Sequence, residues 1–166
     1  PDVYVGRLAC RNIFEVRIMV DKIINYESNT YGSDWFKKLV VVGGDTYPEG
    51  QYPFDTSPIE GEEDTKKAIQ NMTDFEPVKL WVSDGTFTGS EDVIREINNG
   101  CGMMFLSGHA SPLSWGTHPV NSHETIFGFK NSDMWKLVNF YKMPIVVAGA
   151  CHKAQFDITP FNLLKN

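Results

Sequence analysis

Long hydrophobic runs are missing from this sequence: its apolar stretches are of strand length, and none is long enough for a helix to cross a bilayer. An excess of positive charge is missing too. Fifteen Lys and Arg against 21 Asp and Glu leave a net charge of -6 and a sequence pI near 5.1, which argues against a surface for nucleic acid or anionic lipid. Cysteine is scarce. Cys10, Cys101 and Cys151 form an odd set with no CxxC pair, so a disulfide framework is not expected and at least one thiol is free. The zinc spacings HxH and HExxH do not occur, and there is no internal repeat or low-complexity tract. The chain opens Pro1-Asp-Val-Tyr-Val with no basic segment followed by an apolar one. We therefore expect no signal peptide in it and take it as a piece of a longer protein.

What is present is the composition of a globular domain: 166 residues, 42% apolar, four Trp. The organising stretch is Gly102-Met-Met-Phe-Leu-Ser-Gly-His-Ala-Ser111, a short apolar run bounded by glycines, the pattern of a strand buried on both faces. It delivers His109 at its C-terminal end. Pro144-Ile-Val-Val-Ala-Gly149 reads as a second buried strand, and it delivers Cys151. Two further runs, Lys38–Val42 and Val78–Ser83, complete a set of four, the first ending at Gly43-Gly44-Asp45.

Helical spacing over 13–27, with Asn12 and Glu15 at capping-box separation, predicts an amphipathic helix. A second helix opens at Glu62-Glu63-Asp64 and runs to about Met72. Ser90 is expected to cap a third, and Ser132 a fourth reaching about Tyr141. A weakly alternating strand is expected at 3–7. Residues 46–61 and 110–131 are expected as long loops, the second holding Trp115, His118 and His123. The tail from Lys153 shows no period.

Strands of near-continuous hydrophobicity separated by helix-bearing connections predict an α/β layer with a parallel sheet and right-handed crossovers. A common doubly-wound order puts the first strand between the second and third and the fourth outside the third. In that order the strand tips read Asp45, His109, Cys151. A carboxylate, an imidazole and a thiol in line follow the orientation logic of a catalytic triad.

The stretch Asn98-Asn-Gly-Cys-Gly-Met-Met-Phe-Leu-Ser-Gly-His-Ala-Ser-Pro-Leu-Ser-Trp-Gly116, followed by Met143-Pro-Ile-Val-Val-Ala-Gly-Ala-Cys151, resembles the catalytic core of the gingipain family of cysteine peptidases. Val3–Leu8, Val20–Glu27 and Trp35–Lys38 resemble the segment leading into it. The resemblance implies a three-layer α/β/α caspase-like fold, truncated at the C-terminus, with 1–30 a lead-in from a preceding subdomain and 31–166 an incomplete catalytic subdomain. By position it implies Cys151 as nucleophile, His109 as general acid/base, and Asp45 as the acid that orients the histidine. The backbone N–H groups of Ala110 and Cys151 would form the oxyanion hole. Asp64, in Gly61-Glu-Glu-Asp64, resembles the aspartate that reads a basic P1 side chain, and Trp115 is expected at the substrate. The implied partner is a peptide or protein substrate, together with the remainder of the same longer chain. Secretion or cell-surface display is implied by the family alone. No cofactor is required, and calcium enters only as a structural ion on the resemblance.

This chain departs from the family pattern in three places. Ala110 stands where Gly usually follows the histidine, His152-Lys153 stand where a small Gly-containing loop is usual, and the strands that wall the pocket do not follow before Asn166. Each candidate also has a plainer reading. Cys151 and His109 can be a core thiol and a cap, Asp45 a turn cap, and Asp64 a first-turn acid favoured by the helix dipole. The rival functions are a degenerate caspase-like binding module, and a metal-dependent hydrolase built from His109, His118, His123, His152 and Asp45.

Overall fold

Residues 6–48 and 59–152 are described by a computed structural model. In chain order they form α1 (Ile13–Asn29), β1 (Lys38–Gly43), α2 (Glu60–Asn71), β2 (Glu76–Trp81), α3 (Ser90–Asn99), β3 (Met103–Ser107), β4 (His109–Ala110), β5 (Ser114–Thr117) and β6 (Ile126–Lys130). A short 3₁₀ helix at Asn131–Lys136 and β7 (Ile145–Gly149) follow. The main sheet runs β2-β1-β3-β7 and is parallel throughout, the expected order. Each βα unit returns over a face of the sheet because parallel neighbours need a crossover.

Strand alternation divides the core between the two faces. Val40, Val42, Met104 and Leu106 pack with Leu80, Val93, Ile97, Phe87, Cys101 and Trp115 in one buried cluster. Leu39 and Val41, equally buried, face the other side, where α2 lies against β1 and β3. The result is an α/β/α layering whose C-terminal edge is crowded by loops.

Local chemistry explains the element ends. Asn12 caps α1 by accepting from the N–H groups of Phe14 and Glu15, while Glu15 reaches back to the N–H of Arg11 at 2.8 Å, one residue beyond a capping box. Ser90 is the first residue of α3 and not its cap. Gly89 holds that place, and Asp92 supplies the acceptor for the N–H and hydroxyl of Thr88. The helix expected from Ser132 is replaced by a 3₁₀ stretch of 6 residues that ends at Lys136. Asp133 turns back onto the N–H of Lys130, Leu137 goes extended, and Asn98 of α3 takes the N–H of Val138, so the backbone finds partners outside a helix. The stretch expected as a loop after residue 110 instead holds the antiparallel sheet β4-β5-β6.

Two apolar elements are less buried than their sequences imply. No side chain of α1 is fully buried, and Ile145, Val146 and Val147 of β7 stay 46–50% exposed. An apolar cavity of about 710 Å³ separates them, lined by Met19, Ile23, Tyr26, Leu137, Met143 and Val146 among others. Among the described residues β7 is an edge strand, where its sequence reads as a strand covered on both sides. The strand expected at 3–7 lies mostly, and the tail from Lys153 wholly, outside the described residues; Gly6 and Arg7 are not in a strand.

Candidate active site

β1, β3 and β7 end at one edge of the sheet, and each continues directly into a residue of the expected triad. Ser107 of β3 pairs with Gly149 of β7, and the N–H of Gly108 donates to the carbonyl of Gly149 at 3.3 Å. His109 and Cys151 therefore each stand two residues beyond the last paired position on adjacent strands. Cys151 is exposed, as an attacking thiol must be. Glycines make the crowding at this edge possible. A Cβ on Gly44 would lie 2.8 Å from the carbonyl of His118, and one on Gly61 would lie 2.8 Å from the carbonyl of Gly44 and 2.9 Å from that of Ser107.

The imidazole of His109 is held at Nε2 by the carbonyl of Thr46. A carbonyl only accepts, so in the neutral ring Nε2 carries the proton and Nδ1 carries the lone pair. The ring also meets Tyr47 edge-on at 5.7 Å and stacks obliquely on His118 at the same centroid separation.

Asp45 is completely buried one residue upstream, and it is not what holds the imidazole. Its Oδ2 accepts from the N–H of Asn121 at 2.8 Å, and its backbone pairs with His118 in both directions. The hydroxyl of Thr117 donates to its carbonyl, while Oδ1 has no hydrogen-bond partner among the described residues. Asp45 thus ties the tip of β1 to the segment after β5, and the expected contact with His109 is replaced by that of the next residue's carbonyl.

Asp64 lies at the same edge. One oxygen pairs with Lys67 at 3.0 Å and the other receives the hydroxyl of Ser107 at 3.4 Å, two residues before the histidine. Trp115 does not reach a substrate surface. It is 1% exposed, packed on Phe87 at 6.2 Å, and its ring fills the space beside Gly128, where a Cβ would come within 2.4 Å of it. Ala110 has negative φ, so it can present its N–H as an ordinary L-residue, whereas His152 adopts φ +57, the region where glycine is favoured.

His118 gives Nδ1 to the carbonyl of Glu124, and His123 and His152 are exposed. Among the described residues no group of three or more His, Cys, Asp or Glu side chains converges to hold a metal ion. Cys101 is fully buried, and burial pushes its thiol up to about 12, with Glu96 adding to the rise.

Sequence reasoning did not single out Thr46, Glu60, Glu62 or Ser107. Thr46 acts through its carbonyl, which has no side-chain signature. Glu60 accepts from the N–H of Thr46 at 3.1 Å. Glu62, 1% exposed, accepts from the N–H and hydroxyl of Ser83 at 2.9 and 2.6 Å. A glutamate at Gly-minus-one and Gly-plus-one on either side of Gly61 was the available signal.

A histidine and an exposed cysteine at neighbouring tips of a parallel sheet, inside α/β/α layers, define the caspase-like class of fold. Residues 1–164 match the family described as peptidase family C25, and the chain belongs to that family. It is 24% identical over 161 residues to gingipain R2 of Porphyromonas gingivalis, covering 93% of this chain and 19% of that protein. It is 23% identical over 159 residues to Lys-gingipain HG66 of the same organism, covering 95% of this chain and 8% of that one. Among solved structures, the Arg-specific cysteine proteinase gingipain R superposes with a TM-score of 0.66 at 18% identity, over 93% of this chain and 35% of that one. The complex of the pro- and mature domains of RgpB from P. gingivalis gives 0.68 at 18% identity, over 95% and 34%. The chain thus spans about a fifth or less of the curated relatives. No helix among the described residues is long and apolar enough to cross a membrane.

Proposed function

We propose that this chain carries the catalytic core of a cysteine endopeptidase that cleaves after Arg or Lys. The observation that carries the reading is the register of β3 and β7, which puts His109 and Cys151 at matching positions beyond adjacent strands. In this mechanism the Cys151 thiolate adds to the scissile carbonyl carbon. The C=O π electrons become an oxyanion received by the N–H groups of Ala110 and Cys151. The imidazolium of His109 gives its Nδ1 proton to the leaving amine as the C–N bond breaks, leaving a thioester. Nδ1 then takes a proton from water, whose oxygen displaces the thiolate to release the acid product. Throughout, Nε2–H remains on the carbonyl of Thr46, which keeps the ring oriented.

Asp45 supports this arrangement from behind by fixing the β1 tip. Asp64, half exposed beside Ser107, is the acid available to a cationic P1 side chain. The names of the relatives, Arg-specific and Lys-gingipain, support a basic P1 residue. We extend three further features to this chain on family resemblance: a place in a longer chain with 1–30 leading into the catalytic part, secretion or surface display, and calcium as a structural ion. No step passes through calcium, and no described cluster is assigned to it.

The test is mass spectrometry after treatment with a peptidyl chloromethyl ketone bearing P1 Arg, with and without a chelator. One adduct on Cys151, lost in His109→Ala, is the expected result. No adduct on folded protein would favour a binding module of the same fold, and labelling abolished by the chelator would favour the metal-dependent reading.

A further inference from the structure

We infer that Glu60 is a positioning residue for the His109 imidazole, acting through Thr46; this rests on the peptidase reading above. Thr46 is buried and is held from both sides. Its N–H donates to the Glu60 carboxylate at 3.1 Å, and its carbonyl receives Nε2–H of His109. The two bonds flank a single α-carbon, so the carboxylate restrains the rotation that decides where the carbonyl points.

Glu60 is well placed to impose that restraint because its own backbone cannot drift. The N–H of the next residue, Gly61, donates to the carbonyl of Gly44 at 3.0 Å, and Gly61 sits too close to Gly44 and Ser107 for any Cβ. One residue further on, Glu62 is buried and clamped to Ser83 at the end of β2. The first turn of α2 is therefore fixed to the tips of β1, β2 and β3, and Glu60 transmits that fixed position to the imidazole. Without an acceptor at position 60, the N–H of Thr46 would be a buried donor seeking water. Turning toward water would swing the carbonyl away from His109. A base displaced by a fraction of an ångström loses rate without losing substrate, because the Asp64 carboxylate proposed to bind the substrate is not itself altered.

The experiment uses the 166-residue chain, with Glu60→Ala and Glu60→Gln, and two readouts. Turnover is measured on a fluorogenic peptide with P1 Arg, and the His109 ring nitrogens are observed by ¹⁵N NMR. Glu60→Ala is expected to lower kcat about tenfold with KM within about twofold, and to broaden or shift the Nε2–H signature. Glu60→Gln, which keeps an acceptor oxygen, should preserve both. If Glu60→Ala fails to fold, Glu60→Met keeps the volume, lacks the acceptor, and is read the same way. An unchanged imidazole signature in the folded Ala or Met variant overturns the inference. So does a Gln variant as impaired as Ala, since that would make the charge or the fold responsible. Wild-type protein with the Nε2–H signature but neither turnover nor labelling would remove the peptidase reading. The Glu60–Thr46–His109 linkage would then still be judged by the NMR arm.

Discussion

The three cysteines should separate widely in alkylation rate, and the structure sets the size of the gap for one of them. At pH 7 a thiol held at about 12, as burial holds Cys101, is ionised to about one part in 10⁵, whereas a thiol at the ordinary value near 8.5 is ionised to about 3%. That is a deficit of about 3,000-fold. A more basic thiolate is intrinsically the better nucleophile, and with a Brønsted coefficient near 0.45 the 3.5-unit difference returns about 40-fold. Ionisation chemistry alone leaves Cys101 about 80-fold slower than an ordinary thiol, and its zero exposure adds the improbability of opening the core. Iodoacetamide at pH 6 to 7, quenched over time and read by peptide mass spectrometry, should therefore modify Cys151 first, Cys10 later and Cys101 at least about 100-fold more slowly. His109→Ala should slow Cys151 alone. Cys101 reacting as fast as Cys151, Cys10 leading, or no effect of His109→Ala would refute the assignment of the nucleophile.

The same buried thiol makes stability depend on alkaline pH. Its folded pKa is raised from 9.0 to about 12, so the stabilisation is complete below pH 9 and falls away between pH 9 and 12, by about 4 kcal/mol in all at 1.36 kcal/mol per unit. Urea midpoints at about pH 8 and pH 10 should diverge in the wild type and converge in Cys101→Ala; parallel slopes would contradict this. Gly61→Ala pushes a methyl to 2.8 Å from one carbonyl and 2.9 Å from another, which should cost about 1–3 kcal/mol and several degrees of Tm, measured by calorimetry. Asp64→Ala should lower Tm only slightly, since its pair with Lys67 is exposed and its bond from the Ser107 hydroxyl is long at 3.4 Å, while the kcat/KM preference for P1 Arg or Lys over neutral P1 falls about tenfold or more. Asp45→Asn retains an acceptor for the N–H of Asn121 and should lower kcat less than Cys151→Ala does, with KM little changed; full activity would return Asp45 to a purely structural role.

The strand order was legible because it depends on signals that survive in one dimension: four apolar runs, connections long enough for crossovers, and a polar residue at each tip. What failed to show were interactions whose partners are backbone groups. Asp45 and His109 both stand at the expected edge of the sheet, yet the contact to the imidazole comes from the carbonyl of Thr46, which any residue type could supply. Trp115 reads as a loop aromatic near the histidine, but a tryptophan flanked in space by Gly108 and Gly128 is filling a slot that those glycines leave open. The helix expected after Ser132 was outcompeted by side chains from elsewhere, chiefly Asn98, which no local pattern reveals. β7 shows the reverse case. Its sequence carries the apolar content of a covered strand, and among the described residues its outer side remains half exposed.

The acids opening α2 show why a local rule can be right and still miss the function. Carboxylates at a helix N-terminus gain about 0.3–1 kcal/mol each from the dipole, which accounts for an acid-rich first turn but not for packing Glu60, Glu62, Glu63 and Asp64 into five residues, where they repel one another. The repulsion is offset because three of them bind different groups at the sheet edge. Glu60 takes an N–H beyond β1, Glu62 an N–H and a hydroxyl beyond β2, and Asp64 a hydroxyl at the end of β3. Each bond is to a strand whose tip faces the site, and Gly61 brings the helix close enough for all three. A turn that joins three tips also fixes their relative positions, and with them the places of His109 and, on the proposed specificity, of the acid that would receive a cationic side chain. The acid cluster is thus better read as the brace of the site than as a favourable end to a helix.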